Sequence, residues 1–298
     1  DLREGLVKSN LISFNVNNEK WGLERIAATL EEYNQRGVFF INSSEKDIFG
    51  DEYFQGISRI LVSKNHEIGI HSHPEWKMKK KGLLMADLSL KEQRSFINEL
   101  KEDLVKWTDL EPVSHRSGAY SFNKETLMAL KNEDLKIDSS MYRGHENCEV
   151  CFGSNKLIYK DDLLEFPVTG FFIIDYIKKG LFNLPIRKRF VKTDLDSCNL
   201  EDLLWFVSKM KGKGMRIMNL FMHSYSLLDL SDPNNIKPKK DSLEKLKSFL
   251  KEACKDKDIK FVTLKELRSL YLKDPYFFET KDYIPKTRRF LTLNQLLN

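Results

Sequence analysis

Cysteine is scarce in this chain, four in 298 residues, and the irregular places of Cys148, Cys151, Cys198 and Cys254 exclude a disulfide framework. Cys148 and Cys151 form one isolated C-x-x-C pair in a polar loop. It lacks the second pair of a zinc ribbon and the strand-to-helix setting of a redox dithiol, so the thiols read as structural. Glycine and proline are also few, 14 and 8, which excludes collagen-like and low-complexity chains. No apolar run nears the roughly 18 residues of a membrane-spanning helix, the longest lying near Phe171 to Ile174 and Met218 to Met222, so no transmembrane segment is expected. The opening Asp1-Leu2-Arg3-Glu4 has no signal-peptide character. A cytoplasmic chain is therefore expected, with an upstream signal outside it left open. One-sided charge is missing too: the net charge is +5, with basic residues scattered among nearly as many acidic ones. Neither Lys77-Met78-Lys79-Lys80-Lys81 nor Lys239-Lys240 is interleaved with stacking aromatics, so no nucleic-acid partner is expected. What remains is a globular chain, 41% apolar and 31% charged, long enough to bury a large core.

The apolar residues follow two alternating periods. Leu11 to Val16 reads as a short buried strand, and Leu23, Ile26, Ala27, Leu30 and Tyr33 fall at helical spacing up to Gly37. Val38 to Ile41 is the next strand, Tyr53 to Val62 a helix, and His66 to Ile70 a third strand. Ser89 with Glu92 makes a capping box opening a helix through Trp107. A strand near Val113 to Arg116, a helix capped by Asn123 and an extended piece at Lys136 to Met141 follow. In the second half, strands are expected at Leu163 to Val168, Met215 to Met222 and Ile259 to Val262. Helices are expected at Asn199 to Lys211, from a capping box of Asp241 and Glu244, and at Leu264 to Leu272. Strands alternating with helices over about 260 residues imply an α/β fold with a parallel sheet, closed or nearly closed into a barrel. One barrel domain over residues 1–272 is expected, with 273–298 an extension packed on the barrel or on a partner in an oligomer.

In such a barrel the side chains at the C-terminal strand ends converge on one mouth. Here these are Asn15 and Asn17, Asn42, His71, His73 and Glu75, Arg116, Asp138 and His223. His71 and His73 lie two apart on a strand and project to one side, so they could hold one divalent cation with Glu75 adding an oxygen. His223, after a buried apolar run, suits a general acid or base, or is a satisfied core histidine. Arg116 could orient a carboxylate or a substrate oxygen, or form a rim ion pair. Asp138 could take the second proton of an active-site histidine or cap a turn. Trp76, Tyr120 and Tyr225 could stack on a sugar or pack the rim. A phosphodiesterase-type metal hydrolase would need more strand-end carboxylates than this chain offers.

Leu11-Ile12-Ser13-Phe14-Asn15, Asn65 to Pro74 with His71-Ser72-His73, Arg116-Ser117-Gly118-Ala119-Tyr120 and Phe221-Met222-His223 together resemble, in order and spacing, the motifs of the polysaccharide deacetylases, the NodB-homology or carbohydrate esterase 4 family. The resemblance implies a distorted (β/α) barrel of about seven parallel strands and release of acetate from an N-acetylated glycan. It also implies a divalent metal ion, often zinc, on His71 and His73, Glu75 or Asn17. Arg116, Tyr120 and His223 take the positions of the base-orienting arginine, its motif partner and the general acid. Two departures stand out. Asn15 occupies the place of the catalytic base and Asn17 that of an acidic ligand, and an amide neither accepts a proton at neutral pH nor matches a carboxylate as ligand. The second histidine is displaced to His73, with Glu75 in its usual place. Two functions follow: a metal-dependent deacetylase with a reassembled site, or an inactive relative that binds glycan or a partner in the same cleft. Engineered replacement of aspartates by Asn15 and Asn17 would also account for the first departure.

Overall fold

The computed structural model describes residues 12–179, 182–232 and 234–290. Leu11 of the expected first strand and residues 291–298 of the expected extension lie outside them.

The chain opens on a hairpin, β1 (Ser13–Val16) against β2 (Glu19–Gly22). Asn17 and Asn18 join the strands, both at positive φ, 51° and 63°. Two left-handed residues in a two-residue loop make the turn whose twist matches that of the strands, and asparagine tolerates that conformation better than most residues. The expected first barrel strand is thus corrected. It pairs locally within the hairpin, and its Phe14 and Val16 pack with Trp21, Leu195 and Leu227 in a satellite cluster.

Beyond helix α1 (Leu23–Glu32), the expected parallel sheet forms. Strands β3 (Val38–Ile41), β4 (Glu67–Ser72), β5 (Ser114–Ser117), β6 (Ile137–Asp138) and β8 (Leu163–Glu165) run parallel in that order, and β7 (Ile158–Lys160) adds antiparallel at the edge. The crossovers are α2 (Asp51–Ser63), α3 (Leu90–Thr108) and α4 (Lys124–Asn132). Ser89 and Asn123 cap the last two by accepting the backbone N–H of Glu92 and Thr126, as expected from the sequence. Phe54, Leu61, Ile70, Phe96, Leu100, Leu104 and Trp107 form the core between sheet and helices. Each such side chain contributes roughly 1.5–3 kcal/mol by leaving water.

The second half closes the barrel irregularly. Met215 to Met222 forms no strand, and among the described residues a single bridge, Asp194 with Phe221, joins it to a neighbour. Backbone hydrogen bonds from Leu195 N and to Thr193 O hold Phe221, and side chains meet the backbone of Asn219. Thr169 Oγ1 accepts from Asn219 N at 2.9 Å and Thr193 Oγ1 donates to Asn219 O at 2.8 Å. Ile259 to Val262 forms no strand; Phe261 packs against the cluster around Trp21 and Leu246, and Val262 against that around Ile137 and Leu164. Helices α5 (Leu200–Gly212), α6 (Lys240–Lys255) and α7 (Leu264–Lys273) cover this side. The capping box expected at Asp241 and Glu244 is not formed. Lys239 stands at the N-cap of α6 without a side-chain cap, and Asp241 lies in the first turn. The result is a distorted α/β barrel. No described helix is long and apolar enough to cross a membrane.

A long antiparallel pair, β9 (Gly170–Lys179) and β10 (Phe182–Lys192), was not legible as strands. The tail strand β13 (Lys286–Phe290) joins β9 in parallel, so the described part of the expected extension docks on this chain's own sheet. Upstream, Asp282 accepts from Ser154 N and Asn155 N, which ties the tail down before β13 begins. A pair of two-residue strands, β11 (Leu228–Asp229) and β12 (Lys237–Pro238), completes the list between β10 and β13.

If the turn conformation accounts for Asn17, a β-branched residue should not be tolerated there. Asn17→Val is expected to cost about 1–2 kcal/mol in urea unfolding while Asn17→Gly is neutral or mildly stabilising, and equal effects would refute this account.

Candidate active site at the barrel mouth

Pleating sorts neighbouring residues onto opposite faces. In β4 and β5 the register pairs His71 with Arg116 and Ile70 with His115. Ile70 belongs to the core beneath the helices, so its row, which includes His115, faces outward from the barrel. The His71 and Arg116 row faces in, where the Arg116 guanidinium lies 4.9 Å from the ring of Phe40 and 4.8 Å from that of Phe221.

His71 Nδ1 donates to Arg116 O at 2.7 Å, which leaves Nε2 as the lone-pair nitrogen. Burial first, then the neighbouring charge positions at His73 and Arg116, hold His71 well below the usual histidine range. The His73 ring stands edge-on to it, centroids 4.7 Å apart. A Cβ at Gly118 would fall 2.5 Å from that ring, so only glycine lets it lie there. Glu75 Oε1 sits 3.7 Å from His73 Nδ1, and Glu75 Oε2 also accepts from Gly82 N. Two imidazoles side by side suit a divalent ion, but no group of three or more His, Cys, Asp or Glu among the described residues is arranged to hold one. The residues thus stop short of a complete metal site. Asn17 stands exposed at the hairpin tip and Asn15 on the exposed side of β1.

His223 stands at the mouth beside an acid. Its Nδ1 lies 3.5 Å from Asp196 Oδ2, and the same carboxylate accepts from Ser226 Oγ at 2.7 Å. Burial pushes the Asp196 carboxyl up, but these partners outweigh it and its pKa is lowered. Tyr225 stacks on the imidazole at 4.7 Å and 8°. Phe221 links the parts of the mouth: Arg116 and Lys192 lie over its ring, and Tyr120 and His223 are edge-on to it at 6.4 and 6.5 Å. Lys192 donates to Tyr120 OH at 2.9 Å and pairs with buried Asp194 at 2.8 Å. Burial opposes its charge, yet those two partners raise its pKa. Ala119 and Tyr120 both hold positive φ, 50° and 56°, a strained pair that turns the Tyr120 ring toward Lys192. Trp76 lies half-buried in a one-turn helix and makes no ring contact with this cluster among the described residues.

Asp138 requires a correction. It pairs in register with His115 and shares that outward row, accepting from His115 Nδ1 at 2.6 Å, Ser140 N at 2.9 Å and Ser140 Oγ at 2.8 Å. It serves a fully buried histidine rather than one in the mouth. His115 Nε2 in turn meets Ser72 Oγ at 2.8 Å. Ser72, His115 and Asp138 have the connectivity of a catalytic triad, but all three are completely buried, so the serine meets no substrate. Burial drives the Asp138 carboxyl up, and the hydrogen bonds from His115 and Ser140 bring it below its ordinary value. The next residue in the row, Glu165, faces the Asp138 carboxylate, and burial with that repulsion hold its proton well above the usual range.

Sequence reasoning also passed over Glu45. It sits behind Asn42, whose Nδ2 donates to its Oε1 at 3.0 Å, and burial raises its pKa while Asn42 and the nearby His73 act against that. Lys192 and Asp196 were missed because β10, which ends at Lys192 and leads into the turn that holds Asp196, was not read. The alternating acids at Asp194 and Asp196 just past its end were the available signal. All four cysteines are free, and burial pushes Cys148 and Cys198 up to about 11 and about 12, as structural thiols require.

Residues 8–137 match the family model described as polysaccharide deacetylase. Among solved structures, a Mycobacterium smegmatis protein assigned as a polysaccharide deacetylase superposes with TM-score 0.59 at 17% identity, covering 91% of this chain and 80% of that one. PuuE allantoinase gives 0.58 at 13%, covering 86% and 74%. A Pseudomonas aeruginosa PAO1 protein assigned as a polysaccharide deacetylase gives 0.57 at 12%, covering 90% and 83%. At these identities the likeness establishes the barrel fold alone. No curated protein matches the chain.

The carboxyl pair beneath the mouth makes stability depend on pH. Glu165 binds its proton more tightly folded than unfolded, so its contribution is fully present below the unfolded pKa near 4.5 and is lost as pH rises toward its raised folded value. Glu165→Gln is expected to remove that loss and to stabilise the protein at pH 8 relative to pH 5 by at least about 1 kcal/mol in urea unfolding. A variant whose stability tracks the wild type at both pH values would refute the assignment.

Proposed function

We propose, on the match of residues 8–137 to the polysaccharide deacetylase family model, that the barrel mouth hydrolyses N-acetyl groups from the amino sugars of a polysaccharide. The observation that carries this reading is the meeting around Phe221 of the His223–Asp196 pair, the Arg116 guanidinium and the Tyr120 and Tyr225 rings, drawn from separate segments of the chain. Amide hydrolysis needs water added to the acetyl carbon and a proton delivered to the departing amine. With Asp196 on Nδ1, the other nitrogen of His223 is the one that donates that proton. Arg116 Nε and Nη2 are held by Ser139 at 2.9 and 2.7 Å, which aims a fixed cation into the mouth toward a substrate oxygen. The tyrosine rings offer apolar faces to a sugar. A divalent ion, zinc foremost, would take His71 and His73.

A second reading is favoured by Asn15, exposed on the hairpin and unable to act as a base, together with the incomplete donor set: the same mouth binds a glycan without turning it over.

Acetate release from N-acetylated oligosaccharides separates the two. Turnover by the wild type that falls about 10²- to 10⁴-fold in His223→Ala supports the hydrolase. Glycan binding without release, with at least about tenfold gain in Asn15→Asp, supports the binding protein whose missing base limits it.

Metal content tests the imidazole pair independently. About one equivalent of divalent ion by elemental analysis, lost in a His71→Ala, His73→Ala double variant, is expected. Absence from both after zinc is added back would refute it.

A further inference from the structure

The three-stranded sheet β10-β9-β13 has one face on the core and one in solvent. Phe171, Ile173 and Val191 are buried against α5, so the alternate residues project outward. Their registers form three rows. Tyr176 lies beside Pro185 and Phe290, with the Tyr176 and Phe290 rings 5.7 Å apart. Next, Ile174 lies beside Lys188 and Arg288. Then Phe172 lies beside Phe190 and Lys286, with the two rings 5.5 Å apart. The cations lie over the rings: Lys188 at 4.2 Å over Phe172 and Arg288 at 5.6 Å over Tyr176. No carboxylate stands in these rows. Asp175, the acid within them in sequence, points to the other face and is held by Arg187 and Arg189.

This face leads into the mouth. Phe190 lies 5.8 Å from Tyr142, Tyr142 lies 4.8 Å from Tyr120, and Tyr120 lies edge-on to Phe221. Exposed Phe290 and the half-buried rings of Phe172, Tyr176 and Phe190, alternating with Lys188, Arg288 and Lys286, which have no ion pair among the described residues, attract a polymer that has flat apolar faces and carries negative charge.

We propose that the β10-β9-β13 face is an extended binding track for an acidic, N-acetylated polysaccharide, guiding it to the barrel mouth. The acetylated character of the ligand rests on the deacetylase reading, whereas its acidity rests on the charge of the track alone. The continuity with the His223 mouth favours a glycan over single-stranded nucleic acid, the other polymer that rings and cations can hold.

The test is calorimetric titration of the full chain with an octasaccharide alternating glucuronic acid and N-acetylglucosamine, beside a neutral octasaccharide of N-acetylglucosamine. The wild type is expected to bind the acidic chain at least about tenfold more tightly at low salt, with the preference shrinking as salt rises. A Lys188→Glu, Arg288→Glu variant should lose at least about tenfold in affinity for the acidic chain and little for the neutral one, at an unchanged melting midpoint. Equal affinities in the wild type, no binding of either chain, or a variant that binds like the wild type overturns the track. So does tighter binding of an oligothymidylate of matched length, which would assign the face to nucleic acid. Acetate measured in the same samples tests the other reading separately: charge-dependent binding without acetate overturns turnover and leaves the track standing.

Discussion

The register of β4 against β5 is the constraint from which the mouth follows. Because side chains alternate across a strand, one pairing sends His71 and Arg116 inward and Ser72 and His115 outward, and a slip of one residue would exchange the sets. The outward set resists such a slip. Ser72, His115 and Asp138 are hydrogen-bonded in series and fully buried, and a shifted register would leave each of them unpaired in a dry interior. A polar chain with no access to substrate thus specifies where the accessible residues stand.

The same row carries an electrostatic conflict. Asp138 and Glu165 are register neighbours in the interior, and two carboxylates there cannot both ionise. His115 settles which one does, since its hydrogen bond stabilises the charge on Asp138, and Glu165 retains a proton. Burying such a pair weakens the fold relative to an apolar row of the same volume, so its value lies in orientation rather than in stability. Above it, the mouth repeats the theme with solvent admitted. Lys192 is held by Asp194 and Tyr120, and His223 lies 3.5 Å from the Asp196 carboxylate and stacks on Tyr225.

Most of the first half of the fold was legible in the sequence. The apolar runs at Val38 and Ile68, the capping box at Ser89, the cap at Asn123 and the helical spacing of α3 are local signals. Local hydrogen bonding and one-sided burial suffice to make them real. The second half was harder because its order is not local. Met215 to Met222 reads as a strand but forms none, the backbone of Asn219 being met by the hydroxyls of Thr169 and Thr193, and β9 and β10 pair across a face whose exposed aromatics mimic no simple alternation. At the mouth, the strand-end positions of His71, His73, Arg116 and His223 were legible, while the neighbouring Asp196, Lys192 and Glu45 were not.

By itself the sequence determined which residue types stand at the ends of the apolar runs, and with that the alternating α/β architecture and the resemblance to the deacetylase motifs. Tertiary structure decided which of them share a face. Asp138 was assigned to the mouth from its strand and turned out to lie beneath it, and Asn17 was assigned to a metal and turned out to make a hairpin turn. Both outcomes have one physical reason. The direction of a side chain depends on pairing register and on φ, and these are settled by partners distant in sequence and by the geometry of closure, not by the residue itself.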